Sequence, residues 1–162
     1  MKNNNKGFTL VELIAVMAIM VLLTGLVSLS VSAVNSATVK QSATSVDYLI
    51  SMCRAGALGR SGDVHLTLSV DGNGNIVGEY FENGTLVSTD TFPGQSIIVS
   101  CTTTTRTYEL SDESLTLSFD RSTGAQKSLS TEDEIYCTSI NFLSARSYTI
   151  ELFPLTGAHR LV

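Results

Sequence analysis

The chain has 162 residues and 25 charged side chains, with a formal net charge of −5 and a pI near 4.9. An acidic balance of this kind lacks the non-specific attraction that drives binding to phosphate backbones, so nucleic acid is not expected as a direct partner. Three cysteines, Cys53, Cys101 and Cys137, are too few for a disulfide-built miniprotein, and they lack the close pair spacing of a zinc site or a thioredoxin-like motif.

The charges are spread unevenly. Residues 13–39 carry none in 27 positions, of which 19 are apolar, while residues 40–162 carry 22 charges in 123 positions. This predicts one membrane-length segment ahead of one ordinary domain, because about 20 residues at about 1.5 Å each cross a hydrocarbon core of roughly 30 Å. Met1 to Lys6 are polar with two lysines, and Gly7 stands directly before the apolar run. Positive charge ahead of a single span keeps that end cytoplasmic and places everything after it outside. A secretory signal cut near Val31-Ser32-Ala33 and a plain anchor both fit this pattern, yet neither explains Glu12, an acid inside the apolar run that begins at Phe8. A carboxylate at the centre of a membrane helix costs about 2.5 to 3.5 kcal/mol and less near an edge, so it marks either a partner or headgroup depth.

Lys6-Gly7-Phe8-Thr9-Leu10-Val11-Glu12-Leu13-Ile14 resembles the prepilin signature of type IV pilins and type II secretion pseudopilins. The resemblance implies removal of a leader, residues 1–7, by a prepilin peptidase that cuts between Gly7 and Phe8 and methylates the new terminus at Phe8. It also implies that Glu12, fifth in the mature chain, pairs with the terminal amine of a neighbouring subunit during filament assembly. The partners it implies are other pilins or pseudopilins, the peptidase, an inner-membrane platform driven by a separate ATPase, and lipid before assembly. Many major pilins carry a proline in the span where this chain has Gly25.

Past the span, Val39, Ala43, Val46, Ile50, Cys53 and Ala57 recur at helical spacing and predict an amphipathic helix, with Lys40, Gln41, Ser42, Thr44, Ser45 and Asp47 mostly on other faces. Glycines at 56, 59 and 62 mark its end, so one helix is predicted from about Phe8 to about Leu58. The expected organisation is a transmembrane half over 8–34, an amphipathic half over 35–60 and an extracytoplasmic β-rich head over 61–162. Cys53 reads as a buried residue on the stripe. Three pairings of the cysteines are possible outside the cytoplasm, and its place on the stripe leaves Cys101 and Cys137 as the preferred bridge.

Strands are predicted at 64–70, 76–81, 85–89, 97–101, 105–110 and 115–119, where apolar and polar residues alternate between turn residues. Asn83-Gly84 suits a type I′ hairpin, in which both central residues take positive φ. Residues 147–162 read as a strand, a proline-containing turn and a last short strand. Together with Phe119-Asp120-Arg121-Ser122-Thr123-Gly124 they are similar to H-type minor pseudopilins and minor pilins, which implies a minor subunit. The predicted class is α+β, one long N-terminal helix packed on an antiparallel β-sheet head.

An enzyme needs a nucleophile with its base, paired carboxylates or a metal cluster, and none is proposed by this sequence. His65 and His159 are expected at the surface. Glu132-Asp133-Glu134 lacks the glycine and alternating oxygens of a calcium loop, Asn83-Gly84-Thr85 is explained by its hairpin, and the glycines at 72, 74 and 84 fall in β-turns rather than in a phosphate loop. No cofactor and no metal is expected. The function expected is a structural, non-enzymatic filament subunit, with a membrane-anchored adhesion module that does not polymerise as the alternative.

Overall fold

The computed structural model describes residues 9–59 and 62–162, with the side chains of residues 25–35 outside that description. Helix α1 runs Leu10–Gly59 and is followed by nine strands: β1 (Val64–Val70), β2 (Ile76–Glu82), β3 (Thr85–Phe92), β4 (Ile98–Thr103), β5 (Thr107–Glu109), β6 (Leu115–Ser118), β7 (Cys137–Leu143), β8 (Ser147–Phe153) and β9 (Ala158–Leu161). The chain divides into two compact units, Met1–Val34 and Asn35–Val162.

In the first unit, from Leu10 to Leu23, the helix carries one polar side chain, Glu12, and its large apolar side chains are between 51% and 75% exposed. A helix without a polar face is one made for an apolar surrounding. Thr24 keeps its hydroxyl satisfied inside the helix, donating to the carbonyls of Met20 and Val21 at 3.0 Å each. Among the described residues no helix is long and apolar enough to cross a membrane. The span expected over 8–34 falls partly outside the described side chains, which end at Thr24 and resume at Ser36.

The second unit holds two antiparallel sheets, in strand order β3-β2-β1-β6 and β5-β4-β7-β8-β9. The head is therefore α+β as expected, with its strands divided between two sheets. Its core is one cluster. All six stripe residues of α1, Val39, Ala43, Val46, Ile50, Cys53 and Ala57, are at most 3% exposed and join Leu66, Leu68 and Leu117 of the first sheet and Cys101, Ile140, Phe142 and Ile150 of the second. Burial of each large aliphatic side chain contributes about 1.5 to 3 kcal/mol as an upper estimate, which outweighs the small helix propensity of Val and Ile in this half of α1. Gly78, in the middle of β2, lets the helix approach closely, since a Cβ there would overlap the tip of Leu49. Ser42 is fully buried, against the expectation that it lies off the stripe, because its hydroxyl donates to the Pro93 carbonyl at 2.7 Å.

The hairpin between β2 and β3 is closed by Asn83 and Gly84 at φ 52° and 74°, as its type requires. Strand β7 was not expected. Its buried residues Cys137, Ile140 and Phe142 do not alternate, because a bulge separates Cys137 from the rest, and two apolar positions at odd spacing carry no strand signal. The strand expected at 105–110 is limited to Thr107–Glu109, since the Thr103 hydroxyl accepts from the N–H groups of Thr105 and Arg106 and holds that segment in a turn.

Candidate functional site

The residues that the sequence singles out fall in two places, each described within its own unit. At the start of α1, the Thr9 hydroxyl accepts from the Glu12 N–H at 3.3 Å and the Thr9 carbonyl accepts from the Leu13 N–H at 3.2 Å. Thr9 is thus the cap of the helix, and Glu12 is its third residue. Thr-x-x-Glu is the spacing of a capping box, a signal present in the sequence and missed there, and a carboxylate in the first turn is also favoured by the helix dipole. Glu12 itself is exposed. Gly7 and Phe8, where cleavage and methylation are expected, lie outside the described residues, as do Lys2 and Lys6.

In the head, Cys101 of β4 and Cys137 of β7 bring their sulfurs to 3.1 Å, and both residues are fully buried. The hydrogen bond between the two thiols, in which either sulfur can donate, lowers the Cys101 thiol and raises that of Cys137, with burial opposing ionisation of both. The Gln126 side chain, 5% exposed, meets both backbone groups of Cys137 at 2.9 Å when its amide is oriented to satisfy them. Cys53 sits apart on the helix stripe, where burial pushes its thiol up to about 12. It is a core residue, as the stripe predicted.

The remaining candidates are structural. His159 is not at the surface: its side chain is 10% exposed, with Nε2 2.8 Å from Ser51 Oγ and 3.7 Å from Asp47 Oδ1. Serine and aspartate face the same ring nitrogen, while Nδ1 has no hydrogen-bond partner among the described residues. A nucleophilic relay instead needs the carboxylate on the far nitrogen, to orient the base. The burial follows from the pairing of β9 with β8, which carries His159 against the helix, a long-range contact absent from the local pattern. His65 stacks on Phe81 at 4.8 Å and faces Asp63 at 3.4 Å. The side chain of Asn83 accepts from the Asp63 N–H at 3.1 Å, so the hairpin employs it. Glu132, Asp133 and Glu134 are exposed, and no group of three or more His, Cys, Asp or Glu among the described residues is placed to hold a metal ion.

An N-terminal helix capped by Thr9 and an antiparallel head give an α+β architecture consistent with a pilin-like fold. Residues 2–33 match the family model of the prokaryotic N-terminal methylation motif. That match, confined to the start of the chain, supports a type IV pilin-like or pseudopilin-like prepilin, a substrate of prepilin peptidase. The motif belongs to structural proteins, not to enzymes. No curated protein and no solved structure matches the chain.

Proposed function

We propose that this chain is a minor, non-enzymatic subunit of a pilus-like or secretion-pseudopilus filament. Its leader, residues 1–7, is removed between Gly7 and Phe8, Phe8 is methylated, and the processed subunit waits in the membrane through residues 8–34 with its head outside. It then docks laterally into a helical stack, where heterologous contacts that do not close on themselves propagate the filament. Residues 8–34 exchange lipid for like helices at little net cost. Docking and extrusion rely on a separate platform and ATPase, since no phosphate-binding loop occurs in this sequence. The observation that carries the reading is Glu12, an exposed carboxylate in the first turn of α1 and the single charged residue of that helix before Lys40, within the stretch that matches the methylation motif.

Two roles compete for Glu12, and one pair of variants separates them. A capping box accepts Gln as readily as Glu, whereas pairing with a neighbour's terminal amine needs the charge. Glu12→Gln and Glu12→Ala should both lose incorporation into sheared filaments while leader cleavage persists. Normal incorporation of Glu12→Gln would reduce the residue to a helix cap, normal incorporation of both would remove Glu12 from assembly, and absence of the unaltered chain from sheared filaments would leave a membrane-anchored adhesion module as the better reading.

A further inference from the structure

The second unit brings two buried thiols, Cys101 and Cys137, to 3.1 Å between their sulfurs. Strand β4 pairs with β7 in a register that sets Cys101 opposite Ile140 and Thr102 opposite Ser139, and then skips, so that Thr103 faces Cys137 and Thr138 is the extra residue. The skip decides where Cys137 points. Side chains alternate along a strand, and Ile140 is buried while Ser139 is half-buried on the other face. With unbroken alternation Cys137 would share the face of Ser139, away from the core. The bulge at Thr138 turns it inward, onto the face of Cys101, and bulges commonly re-aim a side chain in this way. The inserted residue is held in place, since the Thr138 hydroxyl donates to the Thr102 carbonyl at 3.0 Å. The Thr104 N–H donates to the Tyr136 carbonyl at 2.9 Å, which continues the pairing beyond the bulge.

We propose that Cys101 and Cys137 form the head's disulfide and that Cys53 stays a thiol. The bond closes the segment that leaves the second sheet through β5, contributes β6 to the first sheet, and returns as β7. It therefore fastens the base of the only excursion of this kind among the described strands, and a filament subunit under tension gains from such a fastening. In the bonding step the Cys101 thiolate attacks an external disulfide, either a small-molecule one or that of an oxidoreductase, and releases one thiol. The Cys137 thiolate then displaces the second, so that two electrons reduce the external disulfide and the two thiol protons end on its two sulfurs. Because both cysteines are fully buried, the bond forms while the strands are still closing and resists reductant afterwards.

Formation in the cell rests on the reading that the head lies outside the cytoplasm, so the test has two arms. The full chain, unfolded and reduced, is refolded in detergent with a mixture of reduced and oxidised glutathione, then alkylated and mapped by mass spectrometry. The expected product is a Cys101–Cys137 peptide pair with a single alkylated cysteine, Cys53, and reduction by dithiothreitol at least about a hundredfold slower in the folded state than in denaturant. Three alkylated cysteines, a bond to Cys53, or equal reduction rates would overturn the proposal. The same mapping on protein alkylated as cells are lysed addresses location. The bond in both arms supports both readings, whereas free thiols in cells with a bond on refolding would overturn the outside placement of the head and leave the staple standing.

Discussion

Replacement of Gly157 by alanine tests how the end of the chain is joined to the helix. Gly157 adopts φ 62° in the turn between β8 and β9, and Gly124 adopts φ 70° in the turn after β6. The two turns are stacked: a Cβ on Gly157 would overlap the Gly124 carbonyl oxygen and stand 3.0 Å from Arg54 Nε. That carbonyl cannot swing aside without loss, because Arg54 of α1 donates to it at 3.2 Å and to the Thr156 carbonyl at 2.9 Å. The left-handed backbone costs alanine about 1 to 2 kcal/mol, and overpacking adds about 1 to 3 kcal/mol, for a total of about 2 to 5 kcal/mol. For a unit of this size each kcal/mol lowers the melting temperature by roughly 3 °C, so a fall of about 6 to 15 °C is expected by circular dichroism of the full chain in detergent. Gly84→Ala is the control. Gly84 has φ 74° with no atom near its would-be Cβ, so it carries the backbone cost alone, about 3 to 6 °C. A Gly157→Ala protein that melts no lower than Gly84→Ala would refute the stacking of the two turns.

Phe142 is fully buried in β7, and Phe142→Ala should destabilise the head by about 3 to 5 kcal/mol in denaturant titration, whereas Leu143→Ala, on the exposed side of the same strand, should stay within about 0.5 kcal/mol. Asp120 accepts from the N–H and hydroxyl of both Ser122 and Thr123, hydrogen bonds that hold its carboxyl well below the usual carboxylate range. A depressed folded value means that its stabilising contribution is complete above the ordinary aspartate range, near pH 4, and is lost as pH falls towards the folded value. Asp120→Asn should accordingly flatten the acid limb of a stability profile between about pH 4 and pH 2, and an unchanged limb would count against the turn.

Much of this fold can be read locally. The stripe of α1, the alternation in β1 and the Asn83-Gly84 turn depend on residues a few positions apart, and each appears in the structure where the pattern placed it. What escaped were consequences of pairing at long range. Strand β7 hides behind its bulge, His159 is half-buried because β9 lies beside β8, and Ser42 tolerates the core because Pro93, 51 residues away, offers a carbonyl. At the helix start the prepilin signature was legible residue by residue. The capping geometry of Thr9 was equally present in the sequence, in the Thr-x-x-Glu spacing, and it engages the Glu12 backbone N–H while the carboxylate side chain is exposed.

The central claim is that residues 1–7 are a leader and that the working subunit begins at Phe8. Intact-mass measurement of the protein recovered from cells tests it most directly. The account predicts a single chain that begins at Phe8 and carries one added methyl group at its amino terminus. A mass that retains Met1 to Gly7, or one that begins near Asn35, would contradict it.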